Sequence, residues 1–321
     1  MLEMDDDELC LVGLCATDGV GPAGIARLRE AARNRGVPLH TLMDLPRAEL
    51  EAEVGLPRAA VRAVAAMGSA RSHGRSVLWR LGRAGMRVLI EGQQDYPRRL
   101  RESLGSQTPP VLFVAGDVAA LHEPCVAVVG SRRPSRVARD AARKLAGEQA
   151  AGGTTVVSGG ARGIDTTAHA AAASAGRTVV VPAMGVERFR WRGLSASELS
   201  DGGWCVLGQF PPQAGWRAAY ALMRNRTIVA LSEAVVAFEP RDTGGTWHSC
   251  VGALHMRKPL YVATASCGGA RGRGLRRLVR LGAVALDPTR MPDCAEFSRL
   301  VAEYRAPLSP DQLRLFDIPE L

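Results

Sequence analysis

Aromatic residues are scarce in this chain of 321 residues: Phe, Trp and Tyr together make up 5% of it. A broad aromatic platform for stacking bases is therefore not expected. Lysine is scarcer still, since Lys144 and Lys258 are the only two among 41 basic residues. No apolar run approaches the ~18 residues of a membrane span, and the longest, such as 126–129, are strand-sized. The seven cysteines (10, 15, 125, 205, 250, 267 and 294) form no CxxC pair, so neither a disulfide framework nor a zinc site is expected. His248 and His255 have no acidic neighbour at ligand spacing, and no metal or cofactor is expected. The N-terminus, Met1-Leu2-Glu3-Met4-Asp5-Asp6-Asp7-Glu8, is acidic, the opposite of a signal peptide. These absences describe a soluble, cytoplasmic protein without a membrane partner.

What is present is arginine, unevenly spread. Residues 1–57 carry a net charge of −6, residues 58–110 of +7, residues 111–290 of +11 and residues 291–321 of −3. The basic surplus of +9 thus belongs to the centre of the chain, where it would attract phosphate.

The first 75 or so residues read as short helices. The turn Asp18-Gly19-Val20-Gly21-Pro22 before a helix has the composition of a helix-hairpin-helix element. Because the segment is acidic, an ordinary helix–helix turn is the better reading there. From Arg87 onward, apolar runs at 88–90, 111–114, 126–129, 155–158, 178–182, 204–207, 234–238 and 260–263 alternate with helical patterns at about 135–151, 163–175, 217–231, 246–256 and 273–281. Continuous apolar strands between helices predict a mostly parallel sheet covered on both faces. The expected organisation is a helical domain at 1–80, an α/β domain at 81–290 and a tail at 291–321.

Ligands of such sheets gather beyond the carboxyl ends of the strands. Three loops there carry glycine and open helices: Gly130-Ser131-Arg132-Arg133-Pro134, Gly159-Gly160-Ala161-Arg162-Gly163-Ile164-Asp165, and Thr243-Gly244-Gly245-Thr246. Together they would form a crevice of backbone amides and guanidinium groups, an anion site. The chain has no G-x-x-x-x-G-K-[ST] loop, no G-x-G-x-x-G fingerprint and no G-x-S-x-G nucleophile turn. Asp165 in the first turn of a helix suits the helix dipole better than general-base work.

The residues then carry a resemblance. Asp95-Tyr96-Pro97-Arg98-Arg99-Leu100, Pro109-Pro110-Val111-Leu112-Phe113-Val114-Ala115-Gly116-Asp117, the 126–134 strand and loop, Ser158 to Asp165 with His169, and Arg224-Asn225-Arg226-Thr227-Ile228 with Leu231-Ser232 resemble, in order, the motifs of the DNA-processing protein A (DprA/Smf) family. A late helix from Gly274 to Ala283 fits as well. The chain departs from the pattern at Ala221-Leu222-Met223, where the family has an aromatic residue and a proline, and at Thr243 to Ser249. The family's frequent C-terminal winged-helix domain is not expected in the residues after about 290.

The resemblance implies a Rossmann-like, doubly wound sheet behind a small helical (helix-hairpin-helix or SAM-like) domain. It implies a recombination mediator that binds and protects single-stranded DNA, dimerises, and helps load a RecA-type recombinase on incoming transforming DNA. The expected phosphate contacts are Arg132, Arg133, Arg162, Arg224 and Arg226. Gly130, Gly159, Gly160, Gly163, Gly244 and Gly245 would admit backbone amides, and Ser131, Ser158, Asn225 and Thr246 would add hydrogen bonds. No covalent chemistry is required, so a binding protein is expected rather than an enzyme. The alternative is a sensor of a free nucleotide or nucleotide-sugar in the same crevice. A nucleotide phosphoribohydrolase would need a Glu after the glycine loop, where this chain has Trp247, His248 and Ser249. Arg224 and Arg226 lie about 200° apart on a helix, so only one of them is expected to face the crevice.

Overall fold

Two glycines set how the first helices assemble in the computed structural model, which describes residues 4–56, 58–192, 203–265 and 268–304. The amino-terminal layer contains α1 (Asp6–Cys15), α2 (Pro22–Arg35), α3 (Leu39–Met43), α4 (Arg47–Val54), α5 (Arg58–Met67) and α6 (Ala70–Arg83). A Cβ on Gly13 would collide with the Ala70 carbonyl, and one on Gly74 with the Leu9 carbonyl. The backbones of α1 and α6 are therefore in direct contact. Asp5 and Glu8 close a capping box at the start of α1, which satisfies two of its otherwise unpaired donors. The Gly-Val-Gly-Pro turn leads into α2 with Pro22 at its first position, where a missing N–H costs nothing.

This layer lies on a nine-stranded sheet of order β1-β2-β6-β5-β4-β3-β7-β8-β9. The strands are β1 (Met86–Ile90), β2 (Val111–Gly116), β3 (Cys125–Gly130), β4 (Thr155–Ser158), β5 (Thr178–Val180), β6 (Trp204–Gly208), β7 (Ala234–Phe238), β8 (Leu260–Ala263) and β9 (Val284–Leu286). From β6 to β9 in spatial order all pairings are parallel, whereas β1–β2 and β2–β6 are antiparallel. The remaining helices are α7 (Arg98–Leu104), α8 (Arg136–Ala151), α9 (Ile164–Ala173), α10 (Ala218–Leu231), α11 (Gly245–His255), α12 (Gly269–Arg280) and α13 (Cys294–Glu303).

Strand side chains alternate between two apolar layers, as a doubly covered sheet requires. Ala127, Val129, Val157, Val235 and Ala237 meet α7, α10, α11 and α12 on one face, while Val126, Val128, Val156 and Val236 meet α8, α9 and α13 on the other. The second face continues under the amino-terminal helices, where Leu14 and Leu28 share a core with Ile90, Phe113, Val180 and Val206. Phe297 of α13 is buried against this face, so residues read as the start of a tail are part of the core. The rest of that stretch, from 305, and Cys267 lie outside the described residues.

Strands fall where the apolar runs placed them, with β9 added. Helices α3 and α4 fall in the stretch read as short helices but were not placed individually, and α6, α7 and α13 were not anticipated. Pro38 and Pro46 punctuate the first two but serve as their N-caps. In α6 the buried stripe is Ala70, Gly74, Val77 and Leu81, half of it too small to register as apolar periodicity. No described helix is long and apolar enough to cross a membrane.

Candidate functional site

The chain passes from β3 through α8 to β4 on one side of the sheet and returns to β7 on the other side of β3. This is a topological switch point, where loops diverge and a crevice opens beyond the strand ends. A cleft of about 1110 Å³ lies there. Its walls are the β3–α8 loop (Gly130 to Arg133), the β4–α9 loop (Ala161, Arg162, Asp165), the β7–α11 loop (Glu239 to Thr246) and the start of α12. Its floor is α10, through Ala221, Leu222, Arg224 and Asn225.

Three helices reach the cleft with their amino ends. The N-cap positions of α9, α11 and α12 are Gly163, Gly244 and Gly268, and none supplies a side-chain cap. A glycine N-cap gives the first-turn N–H groups no side-chain acceptor such as Ser or Asp provides, and the helix dipole adds partial positive charge. At α9 the Ile164 and Thr166 N–H groups are instead taken by the Ser131 and Ala161 carbonyls. Helix α8 differs, because Ser135 caps it by accepting from the Ala138 N–H at 3.1 Å. Asn225 braces the glycine loop, its Nδ2 donating to the Gly245 carbonyl at 3.1 Å.

Arg224 is the cation at the floor. It is only 7% exposed, and its Nε is buried without a hydrogen-bond partner. Its guanidinium lies against Gly159, where any Cβ would occupy the same space. Burial pulls the guanidinium below its ordinary value, with Asp165 opposing the shift and Arg132 adding to it. Burial likewise pushes the Asp165 carboxyl upward, opposed by Arg224 and by the amides of Ala161 and Gly159. A buried cation whose donors are not spent on an ion pair is under-satisfied until an anion arrives. Arg132, Arg133, Arg162 and Arg241 are exposed around the opening.

One further arginine ties the walls together. An Nη of Arg271 donates to the Arg133 carbonyl at 2.8 Å and lies 3.3 Å from Glu239 Oε2, which also accepts from the Ser135 N–H at 3.0 Å. Glu239 is buried and holds φ at 50°, a conformation costly for a non-glycine residue.

Among the residues expected at the site, Gly130, Ser131, Arg132, Arg133, Arg162, Arg224, Asn225, Gly244, Gly245 and Thr246 line the cleft. Ser158, Gly159, Gly160, Gly163 and Arg226 do not. The Ser158 hydroxyl is fully buried and donates to the Val128 carbonyl at 2.6 Å, so it is committed to the sheet. Gly160, at φ +67°, packs toward Val180 and Phe189. Gly163, at φ +98°, sits so close to Ser131 and Arg132 that a Cβ would strike their backbone. These glycines fasten the loops to one another, and a larger residue there would strain the fold as well as the site. Of the two helix arginines, Arg224 faces the cleft and Arg226 does not line it.

The sequence reading missed Glu239 as a brace, Arg241 and the Gly268 to Arg271 segment. A glycine pair following a strand was the available signal for the last, but the helix there was expected to start only at 273. His169 is buried behind the cleft, its Nδ1 2.7 Å from Thr178 Oγ1, with burial and then Arg224 driving its imidazolium down to about 3. Among the described residues no cluster of His, Cys, Asp or Glu has the geometry to hold a metal ion.

The family model for DNA recombination-mediator protein A matches residues 87–297. The chain belongs to the DNA recombination-mediator protein A family. Within this family DprA of Bacillus subtilis is 28% identical over 205 residues, 63% of this chain and 68% of that protein. Smf of Escherichia coli is 32% identical over 193 residues, 59% of this chain and 51% of that protein. The chain thus spans about half the length of the E. coli relative. The X-ray structure of DprA from Streptococcus pneumoniae superposes with a TM-score of 0.71 at 21% identity, covering 95% of this chain and 99% of that one. DprA from Helicobacter pylori, whose structure addresses its single-stranded DNA binding mode, gives a TM-score of 0.57 at 24% identity, covering 68% and 97%. The Rossmann-like fold of the recombination mediators is therefore shared well beyond the matched motifs, amino-terminal helices included.

Proposed function

We propose that the switch-point cleft binds the sugar–phosphate backbone of single-stranded DNA and that this chain acts as a recombination mediator. The observation that carries the reading is Arg224, a buried guanidinium with an unpaired nitrogen at the floor of a cleft ringed by arginines and uncapped helix ends. Every donor there is suited to phosphate oxygens, and backbone amides give affinity without base identity. Asp165 and Glu239 are braces in this reading: one holds the Ala161 N–H and the other the Ser135 N–H. Binding without bond-making is the function we infer, in line with Trp247, His248 and Ser249 following the glycine loop.

Handing the strand to a RecA-type recombinase as a homodimer is the wider role that family membership suggests for the chain. Fluorescence anisotropy of a labelled single strand, with wild type and Arg224→Ala, tests the core of the proposal. Tight binding that weakens strongly in the variant is expected. Equal affinity of the two proteins would remove Arg224 and the cleft from the function. A mononucleotide that binds as tightly as the strand would favour the sensor reading instead.

A further inference from the structure

Helix α10 enters the cleft at a slant. Ala218 at its start is exposed, Leu222 is 47% exposed, and Arg224 and Asn225 one turn on are buried. At 100° per residue Ala218, Ala221, Leu222 and Asn225 share one arc of the helix, which forms a ramp from the surface to the floor. Trp216 stands immediately before the ramp and is 56% exposed. The chain is anchored on either side of it: the Ala214 carbonyl accepts from the Gly185 N–H at 2.9 Å and the Arg217 N–H donates to the Ala183 carbonyl at 3.4 Å. The indole itself retains over half of its surface in water, just outside the residues that line the cleft.

The chemistry along the ramp differs from that of the floor. Arg217 is committed, 2.5 Å from Asp18 and stacked over Tyr220 at 5.1 Å, and Tyr220 in turn lies flat on Phe210 at 3.9 Å. Beside this ion-paired and still half-exposed arginine, the exposed groups along the ramp are alanine, leucine and indole. The other exposed tryptophan, Trp79, carries the Arg83 guanidinium over its ring at 5.0 Å, while among the described residues no aromatic or cationic group is stacked on Trp216. Apolar surface next to a phosphate floor suits the faces of nucleobases, whereas it offers phosphates nothing.

We propose that Trp216 with the Ala218–Leu222 side of α10 is a base-stacking subsite for the nucleotides that flank the one held at Arg224. The proposal rests on the single-strand reading above. Ala218 precedes Arg224 by six residues, about 9 Å of helical rise, and Trp216 lies two residues further back, before the extended N-cap Arg217, a span that a mononucleotide held at Arg224 does not bridge. Strand length, rather than base identity, is what this subsite reads.

The test uses the full chain carrying Trp79→Phe, so that Trp216 is the exposed tryptophan that reports. An oligothymidylate of about 12 nucleotides, within the usual reach of one binding fold, is compared with a dinucleotide and with an abasic strand of equal length. The long oligothymidylate is expected to quench the tryptophan emission and the dinucleotide to bind without quenching. Trp216→Ala should weaken the long strand about tenfold, leave dinucleotide and abasic affinities within about twofold, and be largely rescued by Trp216→Phe. A long strand that binds Trp216→Ala as tightly as wild type, while Arg224→Ala still weakens binding strongly, overturns the subsite and spares the cleft. Equal loss of the abasic strand would assign Trp216 to fold or backbone contact and overturn it too. If no single strand binds wild type at all, the functional reading itself falls.

Discussion

The Arg224 guanidinium rests directly on the backbone of Gly159, and there is no room between them for a single methyl group. Gly159 is therefore needed for where the arginine lies. Gly159→Ala should displace the guanidinium and weaken strand binding as Arg224→Ala does, by about 2 kcal/mol, the scale of a charge-assisted hydrogen bond. Because both changes remove one interaction, the double variant should bind no more weakly than either single one. Anisotropy titrations of the three proteins give the cycle, and additive losses would separate the two residues.

Salt dependence follows from the arginines around the opening. Log affinity for a single strand should fall with log salt by about 0.7 for each phosphate neutralised. Removing Arg224 should lower the slope by about that amount, as should removing Arg162 or Arg241 at the rim. A slope that Arg224→Ala leaves untouched would mean that its guanidinium does not meet phosphate.

His169 gives the fold a pH dependence of known sign. Its folded value is depressed to about 3 from an ordinary 6.5, so in that interval the unfolded chain binds a proton that the folded chain refuses. Stability from this group is complete above pH 6.5 and is lost as the pH falls toward 3, at up to about 1.4 kcal/mol per pH unit. Asp165 runs the other way, since its raised carboxyl favours the folded state below its ordinary 3.8 and loses that advantage as pH rises through its folded value. Urea midpoints measured from pH 7 to 4 should decline less steeply in His169→Gln than in wild type. Parallel declines would count against His169 as the source.

The α1–α6 contact predicts a purely structural lesion. Gly74→Ala forces a Cβ onto the Leu9 carbonyl and should cost about 1–3 kcal/mol of unfolding free energy, as overpacked interiors do. Urea denaturation measures the loss, and the folded protein should still bind single strands with wild-type affinity. Loss of binding at retained stability would connect the helical layer to the site.

Much of this was legible in the chain. The parallel strands could be read because Val126 to Val129 and Ala234 to Phe238 are apolar without interruption, which only a strand buried on both faces requires. Arg224 and Arg226 could be separated because a helix rotates 100° per residue. Other features were hidden by their chemistry. Gly159, Gly160 and Gly163 look alike in a glycine-rich loop, yet one makes room for a side chain and two fasten the loop to its neighbours. Glu239 gave no clue to its role, because its partners Ser135 and Arg271 lie far away in the chain. Helix α6 went unread because Gly74 is an interior contact point, and glycine carries no apolar signature.

The neighbours of β3 also have a history. On one side it pairs with β4, only 30 residues further on by first residue, and on the other with β7, more than a hundred residues away. During synthesis the β4 side can close early, while the other side of β3 stays an open edge until Phe238 has been made. The floor helix and the Glu239 brace arrive in the same late stretch. A nascent or truncated chain that stops before β7 thus has the first two arginine loops but nothing to assemble them against, and its unpaired strand is open to other edges. Only a chain synthesised past α12 acquires the complete cleft.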